Sequence, residues 1–248
     1  PDTGLVRSLT DRRRLRNARL LARKARRGGA RFRREARPGG YAVRDLALPE
    51  RIRAILAGDP DGLLHGAPRL KHGNSAMVVR PVLTLPDGTS LVLKRYERKR
   101  RGWLPRRSSR AERSWCAGHL LAGLGIPVPR GWALVQEHRG PFRGRAWLLA
   151  SEARGETLAV LIDRAPIAAW PSALRRDVLR LFARCARYGV DHGDFKATNF
   201  VVAREGLVLL DLDATVVRGP GPRARRAWYR DRDRFRRNFT RPEDLAWI

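Results

Sequence analysis

The chain has 248 residues, 43% of them hydrophobic, which is enough to bury a core and excludes an intrinsically disordered protein. It carries 53 Lys and Arg against 24 Asp and Glu, a formal charge of +29, and such a field favours polyanions: nucleic acid, anionic lipid headgroups or a phosphorylated glycan. The two cysteines, Cys116 and Cys185, show no zinc-ligand spacing and suit a reducing compartment, and no stretch reaches the roughly 18 uninterrupted apolar residues of a membrane span.

Residues 11–27 read as a basic helix closed by Gly28-Gly29, with Leu15, Ala18, Leu21, Ala22 and Ala25 on one stripe. Such a helix can lie on an anionic membrane, dock on its own domain or form a loose arm. Arg37-Pro38-Gly39-Gly40 reads as a linker, which makes residues 1–40 a basic N-terminal extension, and the segment lacks the apolar core of a signal peptide. A short helix around Pro49–Ala57 and a turn at Gly58–Gly62 follow. The period then changes: Met77–Leu83 and Leu91–Tyr96 are apolar, β-branched runs joined by Leu85-Pro86-Asp87-Gly88-Thr89, a hairpin signature. Arg110–Leu124 is helical in pattern, and strands are expected near Trp132–Gln136 and Trp147–Ala150, with Ser151–Gly155 as a connector.

The second half opens with a helix that Ser172 can cap, in which Leu174, Val178, Leu181, Phe182 and Cys185 share one face, ending at Tyr188-Gly189. Phe200–Ala203 and Leu207–Leu210 are two apolar runs split by Arg204-Glu205-Gly206. A basic helix with Trp228, Tyr229, Phe235 and Phe239 closes the chain. A strand-rich half followed by a helix-rich half is the layout of a two-lobed α+β enzyme, with a β-rich lobe over 41–150 and a helical lobe over 151–248.

The informative segment is His192-Gly193-Asp194-Phe195-Lys196-Ala197-Thr198-Asn199, followed by a hairpin and Leu209-Leu210-Asp211-Leu212-Asp213. Phosphoryl transfer needs a carboxylate to orient the acceptor hydroxyl, a cation near the transferred group, and oxygen ligands for magnesium. Asp194, Lys196 and Asn199 offer those groups within six residues of one loop, and Asp211 enters from the end of an apolar strand, where packing alone does not explain an acid.

This pattern resembles the catalytic and metal-binding loops of the protein-kinase-like superfamily, in the variant with His-Gly-Asp where protein kinases have His-Arg-Asp. More narrowly, His192–Phe200 with Asp211-Leu212-Asp213 is similar to the lipopolysaccharide core kinases, which phosphorylate Kdo or heptose in Gram-negative bacteria. Val92-Leu93-Lys94-Arg95-Tyr96, Gly125-Ile126-Pro127-Val128-Pro129 and Asp233–Phe239 extend the likeness over about residues 68–240. The resemblance implies a protein-kinase-like fold using ATP and Mg2+, with Asp194 as catalytic base and Lys196 as phosphate contact. It implies Asn199 and Asp211 as the metal ligands and Lys94 as the lysine on the α- and β-phosphates. A lysine in an apolar strand requires a partner, and Glu112 is the candidate. Lys71–Ala76, with Gly73 and Ser75, stands where a Gly-rich loop covers phosphate.

The same resemblance implies a lipid A–core precursor as acceptor and a peripheral position on the cytoplasmic face of the inner membrane. Basic patches would hold the enzyme there at about 1 kcal/mol per residue near the surface. The alternatives are an atypical protein kinase or another small-molecule kinase, and an inert kinase-like protein binding nucleic acid through its arginines and aromatics. No recognised nucleic-acid module is present, and nucleic acid is not the expected partner.

Overall fold

The computed structural model describes residues 3–73, 76–97, 108–140 and 142–247. They form two compact units: Pro1–Leu20, Leu120–Pro129 and Ala153–Ile248 make the first, Leu21–His119 and Arg130–Glu152 the second. The elements in chain order are α1 (Thr3–Arg27), β1 (Phe32–Arg37), β2 (Gly40–Asp45), α2 (Glu50–Ala57), β3 (Arg69–Gly73), β4 (Ala76–Val79), β5 (Leu91–Tyr96) and α3 (Arg110–Gly123). There follow β6 (Gly131–Arg139), β7 (Phe142–Ser151), β8 (Gly155–Thr157), α4 (Leu158–Arg164), α5 (Ser172–Tyr188), β9 (Val190–Asp191), β10 (Phe200–Ala203), β11 (Gly206–Leu209), β12 (Val216–Val217), α6 (Pro222–Arg236) and α7 (Pro242–Trp247).

The second unit is an antiparallel seven-stranded sheet in the order β1-β2-β6-β7-β5-β4-β3. Alternation along the strands gives it two apolar faces. On one, Leu91, Leu93, Ala133, Val135 and Leu149 pack with Ile52 and Leu56 of α2. On the other, Val43, Tyr96, Leu134 and Leu148 pack with Trp115 of α3 and Ala25 of α1, whose carbonyl accepts the Trp115 indole N–H at 2.9 Å. Of the stripe expected on α1, Leu15, Ala18, Ala22 and Ala25 are buried and Leu21 is half-buried. The expected turn at 85–89 forms as well, with the Thr89 amide donating to Asp87 Oδ1 at 2.9 Å.

Three local readings change. The linker expected at 37–40 is a hairpin turn, because Arg37 pairs with Gly40 and the flanking residues run in register from Phe32↔Asp45. The strand expected over 77–83 stops at Val79, two residues before Pro81, which has no N–H for a ladder. Ser172 is the first residue of α5 rather than its cap; Pro171 holds that place without a side-chain hydrogen bond.

The first unit collects the remaining helices with two short sheets, β11-β10-β8 and β12-β9. α5 buries Leu174, Val178, Leu181, Cys185 and Tyr188 and ends at Gly189, which is left-handed at φ +62°. A Cβ there would overlap the Gly219 carbonyl, so only glycine fits.

His119 on α3 is 3% exposed, edge-on to Trp115 and Phe32, and its Nε2 has no hydrogen-bond partner. Burial, helped by Arg31 and Arg130 and opposed by Asp45, pushes its pKa down to about 4. The unfolded chain binds this proton near 6.5, so it holds more protons than the folded chain between those values, and stability falls as pH falls. Urea unfolding at pH 7 and pH 4.5 should show the wild type losing on the order of 2–3 kcal/mol more than His119→Leu; equal losses would remove His119 as the cause.

Candidate active site

The loop from His192 to Asn199 follows the two-residue strand β9 and leads through one 3-10 turn into β10. β10 pairs with β11, and beyond that ladder the Leu210 amide donates to the Asn199 carbonyl at 2.8 Å. The hairpin therefore returns the chain so that Asp211 follows directly beside Asn199. Asp211 itself is left-handed at φ +56°, a conformation aspartate tolerates better than most side chains. Gly193 lies at φ +78°, and a Cβ there would meet Ala214 Cβ at 3.2 Å. Both facts account for glycine between His192 and Asp194.

Asp194 is the centre of the polar contacts. Its Oδ2 lies 2.9 Å from Lys196 Nζ and accepts from Asn199 Nδ2 at 3.3 Å, while Oδ1 accepts from Arg234 Nη1 at 2.8 Å. Asn199 Nδ2 also donates to the Asp194 carbonyl at 2.7 Å. Both amide hydrogens of Asn199 thus face Asp194, leaving Oδ1 to act as a ligand. A carboxylate has about four acceptor positions; three are occupied here, and one is left for a hydroxyl. Burial alone would lift the Asp194 carboxyl, but hydrogen bonds from Lys196 and Arg234, with the Lys196 charge and the Asn199 amide, hold it below the ordinary carboxylate value.

The loop is fixed from α6. Asp231, 3% exposed, accepts the His192 amide at 2.6 Å and the Gly193 amide at 3.2 Å. Burial raises its carboxyl pKa, although both amides and the His192 side chain pull the other way. Arg234 Nη1 also donates to the Gly193 carbonyl at 3.0 Å, and Asn238 Oδ1 accepts the Ala197 amide at 3.2 Å. Beneath these bonds Phe195, Phe200 and Phe235 pack edge to face on one another, at centroid distances from 4.8 to 6.1 Å, and Phe182 meets Phe235 edge to face at 4.8 Å and Phe195 at a tilt at 5.2 Å. The His192 ring is fully buried, with Nε2 2.9 Å from the Leu210 carbonyl, so that nitrogen carries the proton. Asp213, after Asp211, is buried.

Asp231, Arg234 and Asn238 were not among the residues expected from the sequence. The signal was present: they stand three and four residues apart on the same stripe as Phe235, the spacing of one helix face.

Lys94 and Glu112 belong to the second unit. Lys94 is half-buried on β5, with Nζ 5.0 Å from the Tyr96 ring centroid. It shares a sheet face with Tyr96, the face on which α3 packs. Ser109 Oγ accepts the Glu112 amide at 3.0 Å, so Ser109-Arg110-Ala111-Glu112 begins α3 with the spacing of a capping box. Glu112, expected as the partner of Lys94, forms its ion pair with Arg26 of α1, Nε to Oε1 at 2.6 Å. Gly73 is the last residue of β3 and pairs with Ala76 of β4, and Ser75 lies outside the described residues.

A model of the lipopolysaccharide kinase (Kdo/WaaP) family matches residues 94–246, which takes in Lys94 and every residue of the loop cluster. No curated protein matches the chain. Among solved structures, WaaP in complex with acyl carrier protein is similar at 19% identity, with a TM-score of 0.56 over 81% of this chain and 85% of that one. At that identity the likeness shows the fold, and it is the α+β arrangement expected from the sequence.

Two substitutions test the cluster. Asp231→Ala leaves two buried amides without an acceptor and should cost roughly 2–4 kcal/mol in urea unfolding; a loss below 1 kcal/mol would show the loop is held elsewhere. Arg234→Met removes a donor that stabilises ionised Asp194, so the carboxyl should titrate at higher pH in 13C NMR, and an unmoved titration would discard Arg234 as a cause.

Proposed function

Since the chain belongs to the lipopolysaccharide kinase (Kdo/WaaP) family, we propose that it is an ATP-dependent kinase that phosphorylates a sugar hydroxyl, on Kdo or heptose, of the lipopolysaccharide inner core. The observation that carries this reading is Asp194: an ionised carboxylate with one acceptor position open, set within 2.9 Å of a lysine. That is what an acceptor hydroxyl needs to be oriented beside a phosphoryl group.

In this assignment Asp194 accepts a hydrogen bond from the sugar hydroxyl and takes its proton as the O–P bond forms. Lys196 follows the charge on the transferred phosphoryl oxygens, and Lys94 takes the α- and β-phosphates, with Glu112 the carboxylate on the helix of that sheet face. Gly73 and Ser75 belong to the segment assigned to cover the phosphates. Asn199 Oδ1 and the Asp211 carboxylate are hard oxygen donors, which fit Mg2+ held by few protein ligands and the phosphates. Bound there, Mg2+ would neutralise charge between the phosphates.

The acceptor is an anionic glycan on a lipid, and the chain's charge suits it. No helix among the described residues is long and apolar enough to cross a membrane. The proposed attachment to the inner membrane's cytoplasmic face is peripheral and electrostatic, through basic residues near the surface.

The test is transfer of labelled phosphate from Mg-ATP to unphosphorylated lipopolysaccharide core, wild type beside Asp194→Asn. Label should appear on a core sugar and fall by several orders of magnitude in the variant, in which base and geometry are both disturbed. ATP binding without glycan labelling would overturn the acceptor, and absence of both at low salt would overturn the kinase assignment.

A further inference from the structure

The solvent side of α1 is not wholly basic. Between Leu9 and Leu20 its inner side is set by Leu15 and Ala18, which are buried, and by Asp11, whose Oδ2 takes Arg187 Nε of α5 at 2.5 Å. At about 100° per residue, the direction opposite that stripe belongs to Leu9, Arg13, Arg16 and Leu20, spaced four, three and four residues apart. All four are exposed, the leucines at 57% and 46%. Arg13 and Arg16 form no ion pair among the described residues, and Asp11, on the inner side, is the only acid of the stretch.

A single exposed leucine is ordinary. Two leucines about 16 Å apart along one helix, each a turn away from an arginine, form a pattern that charge attraction does not require. A polyanion dissolved in water gives them no apolar surface to bury. The boundary between lipid headgroups and acyl chains accepts both residue types, the guanidinium groups at the phosphates and the leucine side chains just beneath. Single-stranded nucleic acid is bound largely through aromatic side chains that stack on its bases, and α1 has none.

We propose that this outer face of α1 seats the protein on an anionic lipid surface, with Arg13 and Arg16 on the lipid phosphates and Leu9 and Leu20 inserted below them. The proposal rests on the peripheral attachment proposed above and adds to it an apolar component that charge alone does not supply. Its test reads vesicle binding, so it can fail without touching phosphate transfer.

The experiment is co-sedimentation of the full chain with vesicles of phosphatidylcholine, alone or mixed with phosphatidylglycerol. The wild type should bind the anionic vesicles at least about tenfold more tightly than the neutral ones. Leu9→Gln with Leu20→Gln leaves every charge in place and should weaken that binding about tenfold. Leu9→Trp with Leu20→Trp, which supplies the side chain best suited to the interface, should strengthen it. Both positions are exposed, so neither pair disturbs the core. An unaltered affinity in the glutamine pair would overturn the insertion and leave attachment by charge alone. Absence of binding to the anionic vesicles would overturn the attachment as well. A single-stranded oligonucleotide that loses affinity to the same extent in the glutamine pair would assign the face to nucleic acid and overturn lipid as its occupant.

Discussion

A carboxylate almost wholly removed from water organises the loop from His192 to Asn199: Asp231 holds the amides of His192 and Gly193 from within α6. Burying a charge is expensive, and two backbone donors are a modest return unless they fix something the chain cannot fix locally. The loop is such a case. It contains a glycine at positive φ, makes only one 3-10 turn, and has no ladder of its own until Phe200. The bonds from Asp231, Arg234 and Asn238 supply from another element what a regular strand or helix would supply from its own backbone. The phenylalanine cluster beneath excludes water from the same seam, which strengthens each of these bonds.

The price of that arrangement is a weak base. Lys196, Arg234 and Asn199 hold the Asp194 carboxyl below its ordinary value, so it is fully ionised near neutrality and has little affinity for a proton. For a reaction that depends on full proton abstraction early in the barrier this would be a poor choice. Phosphoryl transfer is more tolerant: its transition state is loose, the proton leaves late, and positioning with electrostatic stabilisation dominates. In the proposed reaction, a carboxylate held on three sides with one acceptor position open would first orient the hydroxyl and take its proton only as the O–P bond forms.

The parts of this site legible in the sequence were those in which chemistry and spacing coincide within a short stretch. Asp194, Lys196 and Asn199 occupy six residues, and Asp211 stands out because an apolar run should not end in an acid. The supporting residues were harder to see because arginine is everywhere: Arg234 is one of 53 basic residues, and its bond to Asp194 spans 40 positions. Arg26 and Glu112 are 86 positions apart, and nothing local to either predicts the other. The β1–β2 hairpin was hidden for a different reason. Its first strand reads Phe-Arg-Arg-Glu-Ala-Arg, where charge masks the alternation, and its turn of Pro38 and Gly39 has the composition of a linker.

The excess of positive charge divides into two populations. Arg218 on Asp191, Arg80 on Glu152, Arg130 on Asp45 and Arg145 on Glu137 and Asp61 are structural cations. They tie chain segments together, and their field is largely cancelled at close range. Arg12, Arg13, Arg14 and Arg16 of α1 and Arg223, Arg225 and Arg226 of α6 are different: they are exposed, and none forms an ion pair among the described residues. Both groups belong to the first unit, where α1 meets the turn before α6, with Arg19 donating to the Arg218 carbonyl at 3.4 Å. Uncompensated, adjacent and solvent-facing charge is what draws a polyanion from a distance. The attraction proposed for an anionic lipid surface therefore belongs to this face of α1 and α6, and a docked helix with an unpaired outer face reconciles the buried stripe of α1 with its basic composition.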